Sequence, residues 1–473
     1  MGAEGVNRSG TITDRIRADL CVIGAGSGGL SLAAGAVQMG ASVILIEQSR
    51  MGGECLNTGC VPSKALLAAA ARGDDFAAAY DHMRGAIAAI EPHDSAERFR
   101  RLGAYVVFGK ARFVKPRFLE VGDTSVTARR FVIATGSGPR VPDIPGLDTV
   151  PYFTNETLFD SAPEPSHLLV LGGGPVGVEM AQAYRRLGAE VTLVEKGRVL
   201  GRDDPELAAI VRARLVEEGV TLHEESTVTA VGAGDEGGVA LTCQAGGEGD
   251  GESRRIEGSH LLVAAGRRPN VDGLGLDAAD VALSDGAVLV DRRLRTTNRR
   301  IYAIGDVVGP YRFTHTASYQ ARIVLTNALF RIPAKARYVA VPWVTYTDPE
   351  LAHVGLSEAE ARAKGEEPRI LRFPFAENDR AIAEGATEGL VKVVATRRGR
   401  VLGASIVGRH AGELILPWVL AVKQRMGVGK LSQAIVPYPT LSEASARAAG
   451  SFHTPVLFGA RTRRIVRMLQ RLG

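Results

Sequence analysis

One pattern occurs twice in the sequence, over Asp19–Glu47 and again over His167–Glu195. Each copy opens with a short apolar run that reads as a strand, Leu20–Ile23 or Leu168–Leu171. Each continues into Gly-x-Gly-x-x-Gly: Gly24, Gly26 and Gly29 in the first copy, Gly172, Gly174 and Gly177 in the second. An Ala-rich helical stretch, a Gly-Ala turn and an apolar strand follow, ending in Glu47 or Glu195. The first glycine permits a tight turn, the second lets backbone N–H groups approach a pyrophosphate, and the third lets helix pack close to strand. The helix N-terminus turns partial positive charge toward the phosphates, and the terminal acid accepts hydrogen bonds from an adenosine ribose. A lone glycine run is weak evidence. Here the preceding strand, the following helix and the acid stand at the fingerprint's spacing in both copies, so two bound dinucleotides are expected.

A chain of 473 residues is too long for one core and suits about three domains. After the first copy come helical stretches (Glu54–Ala71, Asp74–Ile90) and a strand, Phe131–Gly136, that ends in Ala134-Thr135-Gly136. After the second, the glycine-rich, charged stretch Gly232–Glu257 reads as a loop between edge strands, and Leu261–Gly266 closes the domain. Ile301–Asp306 is a further buried strand ending in Gly305-Asp306. From Val341 the texture changes to strands (Trp343–Thr347, Leu390–Ala395, Leu402–Val407) and a helix from Ala411 to Arg425, a separate C-terminal domain.

A net charge of +5 is mild for this length, and no aromatic-studded basic groove accompanies it, so nucleic acid is not an expected partner. No apolar run reaches the roughly 20 residues that cross a bilayer. The polar start, Met1–Asp19, has no apolar core and is no secretory signal, so a cytoplasmic location is expected. Four cysteines are too few for a disulfide scaffold. Cys21 and Cys243 read as small core residues, but Cys55 and Cys60 lie five apart in Gly52-Gly53-Glu54-Cys55-Leu56-Asn57-Thr58-Gly59-Cys60-Val61-Pro62-Ser63-Lys64.

That spacing sets the two sulfurs about 1.4 helical turns apart. With Gly59 loosening the turn, a disulfide is sterically open to them, and Pro62 fits the first turn of a following helix. A zinc site would want four ligands, and no second Cys or His pair is spaced to complete it; no metal site is expected. A redox disulfide beside a flavin is the better reading. The nicotinamide would deliver hydride to the flavin, and the reduced flavin would attack the disulfide through its C4a position, leaving one thiolate stabilised beside the flavin and the other thiol free to exchange with substrate.

Together these residues resemble the pyridine nucleotide-disulfide oxidoreductase family, within it dihydrolipoamide dehydrogenase and the mercuric reductase catalytic core. The likeness runs from Asp19 to about Gly450, and its Cys-x4-Cys-x-Pro-x-Lys run is highly specific. It implies an α/β fold of two Rossmann-like dinucleotide-binding domains plus an α+β C-terminal dimerisation domain. The expected layout is a disordered lead (1–18), a discontinuous FAD-binding domain (19–150 and 267–340), an NAD(P)-binding domain (151–266), a dimerisation domain (341–455) and a basic tail (456–473). By the resemblance Cys55 is the interchange thiol and Cys60 the thiol at the flavin, with Lys64 near flavin N5 and paired with Glu179. Gly53, Thr135 and Gly136 join the first glycine turn and Glu47 at FAD, and Gly305-Asp306 resembles the second FAD motif. Gly266, with Arg267-Arg268-Pro269-Asn270, resembles the link out of the nicotinamide domain. The family's dimerisation domain completes the partner's active site, so a homodimer is implied.

One departure matters most. Dihydrolipoamide dehydrogenase and glutathione reductase carry His-Pro-Thr-x-x-Glu in that domain, whose His is the acid/base partner of the interchange thiol. Here the run is Tyr438-Pro439-Thr440-Leu441-Ser442-Glu443. Tyrosine, with an ordinary pKa of about 10, donates a proton but is a poor base at neutral pH. Mercuric reductase is similar in its tyrosine, yet that family also uses a vicinal C-terminal cysteine pair, and this sequence ends Arg-Met-Leu-Gln-Arg-Leu-Gly. The expected acceptor is thus a small disulfide, metal-thiol or similar electrophile. Direct flavin reduction of quinones or oxygen, or redox sensing with little turnover, are the alternatives. Glu195 would accept from a free ribose 2′-OH and repel a 2′-phosphate, favouring NAD(H) over NADP(H), although Lys196 and Arg198 follow it. His315 reads equally as a flavin neighbour or a structural histidine. The tail, Arg461–Leu472, is basic and amphipathic, open to an anionic membrane surface or to packing on the dimer.

Overall fold

The computed structural model describes residues 14–161, 163–235, 237–246 and 253–471. Its first sheet has seven strands. Tyr105–Phe108, Val43–Glu47, Asp14–Ile23 and Thr124–Ile133 lie side by side and parallel, and Phe118–Val121 and Ala111–Lys115 extend the edge antiparallel. Ile301–Ala303 also pairs with Thr124–Ile133, in register Ile301 with Phe131 and Ala303 with Ile133. The chain therefore leaves this sheet, builds a second body and returns. Exit and re-entry run against each other: Ser137–Pro139 pairs antiparallel with Arg267–Pro269.

The expected lead over 1–18 is too long. The first strand starts at Asp14 and pairs with Thr124 onward. Alternation hides it in the sequence, since Arg15 and Arg17 face solvent while Ile16 and Ala18 pack inward. Residues 1–13 of that lead lie outside the described residues.

The second body has a four-stranded parallel sheet, Val220–His223, Glu190–Val194, His167–Leu171 and His260–Val263. Beside it stands a three-stranded antiparallel sheet, Ser226–Ala233, Val239–Ala245 and Ser253–Gly258, where a loop was expected. Glycines and charges dominate that stretch, but Val228, Val231, Val239, Leu241 and Cys243 share one buried cluster with Leu169 and Leu261. Residues 236 and 247–252 lie outside the description.

In both bodies the helix after the glycine turn sits hard against its strand. A Cβ on Gly29 would lie 1.9 Å from the Gly24 carbonyl oxygen, and one on Gly177 the same distance from that of Gly172. Only glycine fits there, which is the physical content of the motif's third position.

The C-terminal domain is a five-stranded antiparallel sheet, Pro342–Thr345, Glu350–Gly355, Val401–Gly408, Leu390–Ala395 and Arg369–Pro374. Trp418, fully buried, donates from Nε1 to Ser445 Oγ at 3.1 Å and joins the helix Leu416–Lys423 to Glu443–Gly450. The single helix expected over Ala411–Arg425 is broken, Ala411–Leu414 then Leu416–Lys423. Lys392, buried in this sheet, is ion-paired to Asp204 (2.8 Å) and Glu206 (2.9 Å) from the second body. The tail forms a helix, Ala460–Leu469, with Ile465, Met468 and Leu469 exposed. Among the described residues no helix is long and apolar enough to cross a membrane.

Candidate active site

Two helices carry the cysteines. Cys55 lies in the short helix Gly53–Asn57, held at its end by Asn57 Nδ2 donating to the Met51 and Gly53 carbonyls. The chain breaks at Thr58-Gly59, and Cys60 opens the helix Cys60–Arg72, with Pro62 in its first turn. A thiol at a helix N-terminus faces unpaired N–H groups, which favour the thiolate. Cys55 is half-buried and Cys60 exposed. The Thr314 hydroxyl donates to Cys55 Sγ at 3.2 Å.

The pair divides its protons unequally. The Cys60 thiol is lowered to about 6, first by the hydrogen bond from Cys55, against the cost of burial, and then by the Lys64 charge and the Thr314 hydroxyl. The same hydrogen bond and burial push the Cys55 thiol up. In the reduced state Cys60 thus carries the negative charge and Cys55 the proton.

Lys64 stands one helical turn beyond Cys60, and its Nζ lies 2.6 Å from Glu179 Oε2. Glu179 projects from the helix that follows the second glycine turn and is only 3% exposed. Its other oxygen, Oε1, accepts from the Tyr346 backbone N–H at 3.0 Å, and the Tyr346 ring lies under Lys64 Nζ at 4.5 Å. Lysine, glutamate and tyrosine thus come from the first body, the second body and the C-terminal domain.

The first glycine turn meets the cysteine segment directly. Gly53 has φ +63°, and a Cβ there would lie 2.6 Å from Gly26 Cα. Gly26 begins the helix Ser27–Gln38 with no side-chain cap, and Gly174 begins Pro175–Arg186 the same way. Both turns offer bare backbone N–H groups. Glu47 accepts from the Ala25 N–H (2.7 Å) and the Ser49 N–H (2.8 Å). Glu195 does the same in the second turn, from Gly173 (2.6 Å) and Gly197 (2.8 Å). Gly305 has φ +76°, and its N–H donates to the buried Gln320 Oε1 at 2.6 Å. Beside it Asp306 Oδ2 accepts from the Ser137 hydroxyl at 2.7 Å. Thr135 Oγ1 donates to the Asn270 carbonyl, and Asn270 Nδ2 to that of Thr135. Gly266, φ +119°, accepts from the Arg140 N–H at 2.9 Å. Bare glycine backbone, uncapped helix starts and a carboxylate at each turn fit two dinucleotides.

Some residues were not read from the sequence. Glu54 pairs with Arg267, which also donates to the Ser137 hydroxyl at 3.0 Å, and Asn155 Nδ2 donates to Glu54 at 2.7 Å. Burial pushes the Glu54 carboxyl up against the pull of Arg267. Thr314 and Tyr346 likewise carried no motif; their only signal was proximity to His315 and to a strand. His315 itself is structural in its contacts: Nε2 pairs with the Pro342 carbonyl at 2.9 Å, and the ring stacks on Phe313.

Tyr438 and Glu443 are not brought to the cysteines within one chain. Tyr438 is 69% exposed, and its hydroxyl donates to Asp379 Oδ2 at 3.0 Å. That hydrogen bond raises its pKa further. Glu443 starts the helix Glu443–Gly450 and lies 3.9 Å from Arg447.

Two nucleotide folds joined to a dithiol beside a lysine paired to a buried glutamate define a flavoprotein disulfide oxidoreductase. The chain belongs to the pyridine nucleotide-disulphide oxidoreductase family, whose description matches residues 18–321, and residues 341–449 match that family's dimerisation domain. It is 37% identical to mercuric reductase of Streptomyces lividans over 463 residues, covering 93% of this chain and 97% of that one. It is 36% identical to dihydrolipoyl dehydrogenase of Thermus scotoductus over 468 residues, covering 92% and 97%. Among solved structures it is similar to the Cu(II) complex of the HOCl-induced flavoprotein disulfide reductase RclA from Escherichia coli, with TM-score 0.85, 28% identity and coverage of 92% and 99%. Use of FAD and a pyridine nucleotide follows from the family.

Proposed function

We propose that this protein moves electrons from NADH into the Cys55–Cys60 disulfide and on to a small thiol-bound metal ion or similar electrophile, with a tyrosine in place of the usual histidine base. Gly24, Gly26, Gly29, Glu47, Gly53, Thr135, Gly136, Gly305 and Asp306 would hold FAD, with Lys64 at its reactive side. Gly172, Gly174, Gly177, Glu195 and Gly266 would hold the nicotinamide dinucleotide. Bound FAD supplies the two-electron link between a hydride donor and a disulfide.

The protein's own part is charge and proton placement. Reduction of the disulfide takes two electrons and two protons. Cys60 then gives up its proton and is held as a thiolate by the Cys55 hydrogen bond and Lys64. Cys55 keeps its proton, points to Thr314 and is the thiol that exchanges. In the homodimer the partner subunit's Tyr438 would face Cys55, its hydroxyl turning from the carboxylate it binds to act as proton donor, with the charge of the partner subunit's Glu443 nearby.

The observation that carries the acceptor class is Tyr438. Its hydroxyl is already committed to Asp379 and its pKa is raised, so it cannot take a proton from Cys55 near neutral pH. Exchange with lipoamide or glutathione disulfide calls for a group that takes up the Cys55 proton in one direction and returns it in the other; with a soft metal ion bound to thiols, the Cys55 sulfur takes the metal as its proton passes to the released thiolate. The mercuric reductase and the Cu(II)-binding reductase among the similar proteins agree with this choice. An acceptor screen tests it, with lipoamide, glutathione disulfide, Hg(II)-thiol complexes and quinones under NADH and NADPH. Fastest turnover is expected with the metal-thiol complex and NADH. Robust lipoamide turnover would refute the inference from Tyr438.

A further inference from the structure

A cavity of about 290 Å³ lies on the first body, away from the cysteines, and five arginines line it: Arg130, Arg293, Arg295, Arg299 and Arg331. No carboxylate is among its lining residues. Arg295 alone is compensated, by Asp291 at 2.6 Å. Arg293, Arg299 and Arg331 have no side-chain hydrogen bond or ion pair among the described residues. Five guanidiniums against one carboxylate leave four uncompensated positive charges around one small space.

Two groups distinguish this cavity from a solvated basic face. Arg130 Nε is buried and has no hydrogen-bond partner among the described residues. Tyr302 is 4% exposed and lines the cavity, and its hydroxyl makes no hydrogen bond among the described residues. A buried donor without a partner costs stability, and an acceptor-rich ligand in the cavity would satisfy Arg130 Nε and bond the Tyr302 hydroxyl.

The position separates it from the dinucleotide sites. Arg130 precedes Phe131, where the strand begins its pairing with Ile301–Ala303. The same strand reaches the first glycine turn only after Ile133, roughly 13 Å further along at strand spacing. Arg130 pairs with Leu20, level with the starts of Val43–Glu47 and Ile301–Ala303, whereas Gly24 follows the other ends of these strands.

We propose that this cavity binds a compact oligophosphate of the pyrophosphate class. Guanidinium forks match phosphate oxygens in pairs. Four uncompensated charges call for a tri- or tetra-anion over a monoanion, and the volume admits a few phosphates but no polymer. The phosphates can be free in solution or carried on a lipid headgroup, since the recognised chemistry is the same.

The test is calorimetric titration of the FAD-loaded protein with inorganic pyrophosphate at fixed ionic strength. Saturating NAD+ keeps the glycine turns filled. Saturable binding is expected, tighter than for sulfate. It should weaken at least about tenfold in the double variant Arg293→Ala, Arg299→Ala, and about threefold in Tyr302→Phe. The tail variant Arg461→Ala, Arg463→Ala should bind as the parent does. Should the double variant fold poorly, Tyr302→Phe and Arg331→Ala carry the test. A parallel arm pellets the proteins with phosphatidic acid vesicles. Pelleting that depends on Arg293 and Arg299, without pyrophosphate binding, assigns the phosphate to a lipid headgroup. Binding that is absent in both arms, unaffected by the double variant, or equally lost in the tail variant overturns the proposal.

Discussion

Lys64 Nζ and Glu179 Oε2 meet at 2.6 Å across the boundary between the two nucleotide-binding bodies, one helical turn from the Cys60 thiol. The two charges act on that thiol with opposite sign: Lys64 lowers its pKa and Glu179 raises it. Lys64→Met should therefore move the Cys60 titration up, and Glu179→Gln should move it down. Far-ultraviolet thiolate absorbance of the reduced protein against pH reads both shifts; shifts of the same sign would show that the pair does not act electrostatically on Cys60. Glu179→Gln also leaves Lys64 without its charged partner and should cost about 1–3 kcal/mol of stability.

The Cys55 hydrogen bond is the largest cause of the lowered Cys60 pKa. A lowered pKa means that the thiolate survives acidification to about 6 and is lost only below it. Cys55→Ala removes the donor and should shift that loss to higher pH, whereas Cys55→Ser, which still donates, should shift it less. Identical profiles for the two variants would contradict the assignment. Cys60→Ser should abolish turnover with the physiological acceptor; undiminished turnover would sink the dithiol reading.

Tyr438 should be replaceable by a base. Tyr438→His is expected to raise lipoamide turnover at least about tenfold, the low end of what a positioned general base supplies. Tyr438→Phe should slow delivery to the acceptor while leaving the rate of flavin reduction by NADH unchanged. Stopped-flow measurement of the two half-reactions separates these effects. Because its pKa is raised, Tyr438 should contribute no ionisation to the pH profile between about 6 and 9.

Glu195 binds the backbone N–H of Gly173 in the second glycine turn and that of Gly197, and Arg198 is drawn to Glu225 at 3.6 Å. A 2′-phosphate would meet a fixed carboxylate there. Glu195→Ala should lower the ratio of kcat/KM for NADH over NADPH by about tenfold. An unchanged ratio would place nicotinamide choice elsewhere.

Lys392 is 4% exposed and holds Asp204, 4% exposed, and Glu206 across the joint between the second body and the C-terminal sheet. Lys392→Ala strands a buried carboxylate and should cost about 3–5 kcal/mol. Urea unfolding would show the loss; a change under 1 kcal/mol, roughly that of an exposed pair, would show that solvent reaches the cluster.

Local chemistry was legible in the sequence. The two glycine turns, Glu47, Glu195, the cysteine pair and Gly305-Asp306 are contiguous runs, and each needs a residue type that the backbone itself demands, such as glycine where a Cβ would strike a carbonyl at 1.9 Å. The family resemblance placed Lys64 with Glu179 as well. What remained hidden depends on distance along the chain. Thr314 donates to Cys55 across 259 residues, and Arg267 reaches Glu54 across 213. No spacing rule links such residues, because packing of separate sheets decides which side chains meet. The same holds for the arginine cavity, whose five arginines come from one strand and four positions outside the strands and helices that look unremarkable one by one. Alternating polar and apolar residues also concealed two elements, the start of the first strand at Asp14 and the sheet within Ser226–Gly258. The sequence alone determined the class of the catalyst, since its cofactor turns and dithiol are local. Tertiary structure decided how charge and protons are shared around that dithiol, since burial and through-space contact arise only when the three domains pack.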